Sequence, residues 1–93
     1  MNSPKNLKLI NDIDILQKRV GEHIKFIRES KGIKNYEKFA IRNNLNRSHY
    51  WRIEKGEENV TLKTLCKILN VLDTRVEDFF QQLDQNQDTQ DPK

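Results

Sequence analysis

Between Asn46 and Gly56 the chain reads Arg-Ser-His-Tyr-Trp-Arg-Ile-Glu-Lys. On a helix, Tyr50 and Ile53 are three residues apart and share a face, while Arg47, Ser48, Trp51, Arg52 and Lys55 fill the remaining arc. That arc is cationic and polar apart from one indole. Arginine donates bidentately to guanine O6 and N7, serine bonds several base edges, and an indole offers apolar contact to a thymine methyl. A helix carrying such groups in its first turns suits the major groove of double-stranded DNA, with Arg47, Ser48, Trp51 and Arg52 as base readers. Each residue also has a plainer reading. The arginines serve equally as solvated charges, Trp51 as a core residue or protein-interface anchor, and His49 as a rim residue.

Such a helix has to be held by others, and the pattern around it provides five. Ile13, Leu16, Val20, Ile24 and Ile27 recur at spacings of three and four, so a first helix runs from Asp12 or Asp14 to Lys31. Gly21 interrupts it and predicts a bend or a later start. Gly32 supplies the left-handed stop. Asn35 caps a second helix ending near Asn43, with Phe39 and Ala40 inward. Asn44 takes the positive-φ position of the turn, Leu45 plugs into the core and Asn46 caps the third helix, which Gly56 ends. Thr61 caps a fourth helix whose apolar face is Leu62, Leu65, Cys66, Ile68 and Leu69. Thr74 and Glu77 read as a capping box opening a fifth helix that carries Val76, Phe79 and Phe80. The two short helices joined by Asn44-Leu45-Asn46 have the spacing of a helix-turn-helix.

These elements give an all-α, five-helix bundle. Residues 1–11 read as a flexible N-terminal extension, 12–83 as the helix-turn-helix domain and 84–93 as a polar, disordered C-terminal tail. With 93 residues, 34% hydrophobic and 33% charged, the chain has room for one thin core. The net charge of +3 is unevenly spread. Residues 1–72 hold 15 Lys and Arg against 8 Asp and Glu, whereas 73–93 hold 2 against 6. A basic body with an acidic tail suits a phosphate-rich partner. Cys66 is the sole cysteine, so no disulfide framework or thiol metal cluster is expected, and its apolar setting predicts a buried structural thiol. No metal and no cofactor are expected. No apolar run reaches a membrane span and no signal peptide opens the chain, which predicts a cytoplasmic location with no membrane partner.

Residues 20–80 resemble the phage-repressor and Cro (Xre-type) helix-turn-helix family. Val20-Gly21-Glu22-His23-Ile24, Ile27 to Ile33, Glu37-Lys38-Phe39-Ala40, Leu45 to Gly56, Thr61 to Leu69 and Val76 to Phe80 carry the resemblance in order. It implies a bundle of the lambda-repressor-like type and base reading from the first turn of the third helix, at Arg47 and Ser48, with Trp51 and Arg52 one turn on. At the start of the second helix the family places a Gln that braces the readout and touches phosphate. Tyr36 stands here instead, after a turn one residue longer, so phosphate contact survives while bracing is lost. Lys34, Asn35, Tyr36, Lys55, Thr61 and Lys63 are the expected phosphate-binding residues, the last two at a helix start that offers free amides. The family also pairs an arginine late in the first helix with the glutamate of its Ile-Glu-x-Gly motif. Arg28 and Glu54 are therefore expected to form a partly buried, bidentate, structural ion pair.

The functional expectation is a sequence-specific transcriptional regulator of repressor type, binding a near-palindromic site as a homodimer with half-sites about 10 base pairs apart. Its dimer surface is sought at Phe79, Phe80 and Leu83, or at Leu7, Leu9, Ile10 and Ile13. The rival is an antitoxin-type module that binds a toxin as well as DNA, using the tail or N-terminal extension to dock its protein partner. No nucleophile is paired with a histidine and no Gly-rich phosphate loop occurs, so an enzyme is not expected.

Overall fold

A computed structural model describes residues 11–90 of the protein, with side chains through Asp84. The N-terminal segment bearing Leu7, Leu9 and Ile10 lies outside the described residues, as do residues 91–93.

Five α-helices, and no strand among the described residues, follow one another: α1 (Ile13–Ser30), α2 (Tyr36–Arg42), α3 (Arg47–Lys55), α4 (Leu62–Val71) and α5 (Val76–Gln90). Local chemistry sets most of the boundaries. Asp12 Oδ1 accepts from the N–H groups of Asp14 and Ile15 at 2.9 and 3.1 Å and starts α1. Asn35 accepts from Lys38 N, Asn46 from His49 N and Thr61 from Thr64 N, so α2, α3 and α4 each open on a side-chain cap. Gly32 and Asn44 turn the chain through left-handed φ values of 81° and 58°, and Gly56 ends α3 at 76°.

The core is one cluster drawn from all five helices. Val20, Ile24 and Ile27 of α1 meet Phe39 and Ala40, Tyr50 and Ile53, Leu65, Ile68, Leu69 and Leu72, and Phe79 with Leu83. Leu45 packs on its edge, closing the turn between α2 and α3.

Gly21 neither bends nor delays α1, which is continuous. It is buried where α1 crosses α3. A Cβ there would collide with the Ile53 carbonyl oxygen and lie 2.7 Å from that of Glu54. At Gly56 a Cβ would lie 2.7 Å from Lys18 Cα. The two glycines let the helices meet backbone to backbone, so α1 fixes the pose of α3 with little side chain between them.

Four expectations are corrected. Cys66 is exposed rather than buried, because α4 buries the stripe Leu65, Ile68, Leu69 and Leu72, and Cys66 stands about 100° around the helix from Leu65. Leu62 shares that outcome at 78% exposure, in the first turn of α4. Of Phe79, Phe80 and Leu83, sought as a dimer surface, Phe79 and Leu83 are buried and Phe80 is exposed with Val76, because α5 lays only one side on the core. The capping box does not form: α5 begins at Val76, one residue later than a Thr74 cap requires. The Thr74 hydroxyl donates to the Leu72 carbonyl, and the Glu77 carboxylate lies 3.6 Å from Arg75.

The backbone of α5 stays helical to Gln90, past the boundary set at Leu83. No Gly or Pro interrupts residues 76–90, and Pro92 is the first breaker. Among the described residues, no helix is long and apolar enough to cross a membrane.

Candidate nucleic-acid interface

The helix-turn-helix divides α3 into two faces. Tyr50 and Ile53 are buried in the core, and Glu54 is buried beside them. Arg47, Ser48, Trp51, Arg52 and Lys55 are exposed. With Trp51 38% exposed, its indole is a surface group and the core reading falls away. Lys55 Nζ sits 5.3 Å from the centre of the Trp51 ring, a cation–π contact that orients both outward-facing side chains.

An open depression between α2 and α3 is lined by Tyr36, Glu37, Arg47, Ser48, Trp51 and Arg52. It brings the four expected base readers together with the residue that replaces the brace at the start of α2. Tyr36 is half-buried against the core, so its phenol projects from a packed ring. Glu37, which sequence reading passed over, places a carboxylate 3.6 Å from the Arg47 guanidinium. At that length, and with both groups about half exposed, the pair contributes little energy but biases the direction of Arg47.

A second carboxylate lies at the far end of the readers. Glu58, in the loop after α3, accepts a hydrogen bond from Arg52 Nε at 2.9 Å and lies 3.6 Å from His49 Nε2. The Arg52 hydrogen bond holds the Glu58 carboxyl below its ordinary range. His49 thus stands at the rim with an acid beside it.

The expected phosphate contacts are distributed around this face. Lys34 is exposed just before α2, and Asn35 beside it uses its side-chain oxygen as the helix cap, leaving its amide NH2 to donate. The Thr61 hydroxyl accepts from Thr64 N and donates to Thr64 Oγ1, so the hydroxyl itself is engaged in capping. What the start of α4 offers a phosphate is its free backbone amides and exposed Lys63. Lys67, absent from the sequence-level set, donates from Nζ to the Asn44 carbonyl at 3.0 Å. That bond puts the outer face of α4 against the turn that launches α3, and Lys63 lies one helical turn earlier on the same face.

Beneath the interface Arg28 Nε donates to Glu54 Oε2 at 2.6 Å and Nη2 to Oε1 at 2.9 Å. Nη1 donates to the Ile33 carbonyl at 2.7 Å. The two side chains are only 3% and 6% exposed, more deeply buried than the expected partial burial. The guanidinium is held further above its ordinary range, first by its hydrogen bond to Glu54, and burial pushes the neighbouring Tyr50 phenol up. The pair joins the end of α1 and the loop before α2 to α3, which makes it architectural. No group of three or more metal-ligating side chains occurs among the described residues.

A fold, a turn and an exposed cationic face of this kind can be compared with known proteins. Control protein C.MunI of Mycoplasma sp is 35% identical over 75 residues, covering 81% of this chain and 97% of that protein. The chain belongs to the family of restriction-modification controller proteins. These are phage-repressor/Cro (Xre-type) helix-turn-helix proteins, DNA-binding transcription regulators, and this chain is one of them. The crystal structure of a tyrosine-to-phenylalanine mutant of the restriction-modification controller protein C.Esp1396I superimposes with a TM-score of 0.72 at 33% identity. It covers 82% of this chain and 95% of that one. A threonine-to-alanine mutant of the same protein gives 0.69 at 34% identity, over 76% and 93%. No family model matches the chain.

Proposed function

We propose that this controller-family chain regulates transcription by docking α3 in the major groove of a near-palindromic operator, as a two-fold dimer in the cytoplasm. In this reading Arg47, Ser48, Trp51 and Arg52 specify the sequence. Lys34, Asn35, Tyr36, Lys55, Thr61 and Lys63 fix register on the phosphates, with Lys67 beside them. The observation that carries the reading is the depression in which Tyr36 of α2 and the outer arc of α3 converge. The named relatives are controllers of restriction–modification systems, and genes of such a system are proposed as the target here.

The dimer surface in this proposal is the outer side of α5. Phe79 and Leu83 are consumed by the core, which leaves Phe80 with Val76 one turn before it. Phe80 stands edge-on to Phe79 at 5.1 Å, so a partner packing on it couples directly to the core.

Binding-site selection from random duplexes, repeated at two salt concentrations, tests the proposal. The expected result is a sharp, two-fold motif whose affinity falls steeply with salt. Binding indifferent to sequence would overturn it.

A further inference from the structure

We propose that Glu58 is a specificity-determining residue of the DNA interface: it ties up Arg52 so that the guanidinium serves base reading and is withheld from casual phosphate contact. The inference rests on the DNA-reading role proposed for α3 and extends it to a residue outside the helix.

Glu58 carries the opposite charge to the surface it borders. It sits in the loop after α3, yet its carboxylate converges with two cation-capable groups on the outer face of that helix, Arg52 at 2.9 Å and His49 at 3.6 Å. A lone acid at the edge of a DNA-binding face repels the backbone without discriminating between sequences. Glu58 differs because its oxygen takes the Arg52 Nε–H specifically. A guanidinium offers two donor edges, and with Nε engaged the edge formed by its two terminal nitrogens remains for an outside acceptor. That edge matches guanine O6 and N7 bidentately.

The same bond lowers what Arg52 gains from a phosphate. Random-sequence binding comes almost wholly from cations that neutralise phosphates and release counterions. An arginine already paired with a carboxylate adds little to that release until the pair opens. A correctly placed guanine needs no opening, because it uses the free edge and brings no net charge, whereas a phosphate on that edge still meets the repulsion of the Glu58 carboxylate. The carboxylate therefore suppresses random binding more than operator binding. His49, 3.6 Å away, is a second neighbour of Glu58 and narrows the directions its carboxylate samples.

The test is a double-mutant cycle read on two duplexes, the operator obtained by selection and a random sequence. Glu58→Gln keeps the shape and removes the charge. It is expected to tighten random binding roughly three- to tenfold while changing operator binding less, and to steepen the random-duplex salt slope by about one phosphate's worth. In an Arg52→Gln background the Glu58→Gln effect should largely vanish, since non-additivity is the signature of a direct coupling. Glu57→Gln, an exposed neighbouring acid, should shift both duplexes alike. Thermal unfolding of each variant is recorded alongside, and unchanged midpoints keep the comparison on binding. If Glu58→Gln tightens both duplexes equally, as general repulsion would, or if its effect persists undiminished without Arg52, the inference is overturned. If wild-type protein shows no salt-dependent duplex binding, the proposed DNA-reading role itself has failed.

Discussion

Arg47 and Lys63 stand on the same surface, and their chemistry separates them. Arg47 lines the depression at the first turn of α3, whereas Lys63 projects from the start of α4. Arg47→Ala is expected to relax preference at one base pair of the operator and to cost about 1–3 kcal/mol of specific binding. Lys63→Ala should weaken all sequences alike and reduce the salt slope by about one. Parallel titrations against operator and mismatched duplexes distinguish them, and identical behaviour would show that the division into readers and register contacts is wrong. Glu54 is a different kind of residue. Glu54→Gln leaves the Arg28 charge buried without its counter-ion, and should lower folding stability by about 3–5 kcal/mol in denaturant titrations. Replacing Arg28 and Glu54 together by apolar residues should restore most of that loss. His23 gives stability a pH dependence of its own. It is buried beside Phe79 at 4.9 Å, and desolvation holds its pKa below the ordinary histidine value, against the raising effect of a hydrogen bond to the Gln82 side chain. An unfolded histidine binds its proton near pH 6.5, the folded one only lower. The stabilisation is therefore complete above about 6.5 and is lost as pH falls from there toward the folded pKa, where the loss levels off. Glu58, also depressed, acts in the separate carboxylate range below. Urea midpoints between pH 7.5 and 5.5 should fall in the wild type, and fall less steeply in His23→Leu.

Among the elements, α1 and α3 are joined most closely, through Gly21. Helix propensity alone predicts that Gly21→Ala stabilises a helix by about 1 kcal/mol. The carbonyl oxygens of Ile53 and Glu54 predict the opposite sign, because an added Cβ has to push α3 off α1. Gly21→Ala should therefore destabilise the fold by about 1–3 kcal/mol, as overpacking does, with operator affinity falling as α3 shifts. Denaturant unfolding gives the sign directly. This position also marks the limit of what sequence makes legible. Caps at Asn35, Asn46 and Thr61 and the left-handed Asn44 were readable because each depends on residues within three or four positions. The continuity of α1 at Gly21 was not, since its cause lies some thirty residues away in α3. Cys66 and Leu62 were misplaced for a related reason: an apolar periodicity defines a stripe, while its neighbours decide how wide an arc is covered. The resemblance supplied Arg28 with Glu54, a pairing no local pattern announces. Glu37 and Glu58 escaped because their partners lie across a helix junction and around a loop.

At the scale of the whole molecule, the open question of assembly has a sharp experimental handle in α5. Phe79 and Phe80 are neighbours in sequence with opposite fates, one fully buried and the other 39% exposed. Phe80→Glu should leave helicity and thermal midpoint close to wild type while shifting the mass seen by sedimentation toward the monomer. It should also reduce affinity for a two-half-site operator far more than for a single half-site. Phe79→Ala should instead cost about 3–5 kcal/mol of folding stability, because it empties a core position. If Phe80→Glu leaves the assembly state intact, the dimer surface lies elsewhere. The backbone seating of α3 on α1 has one more consequence. Because Gly21 sets the pose of α3 from behind, the four side chains proposed to read bases are replaceable parts on a fixed mount. Exchanging Arg47, Ser48, Trp51 and Arg52 for the residues that another controller carries on this arc, with its counterpart of Glu58, should transplant that controller's operator preference without redesigning the bundle.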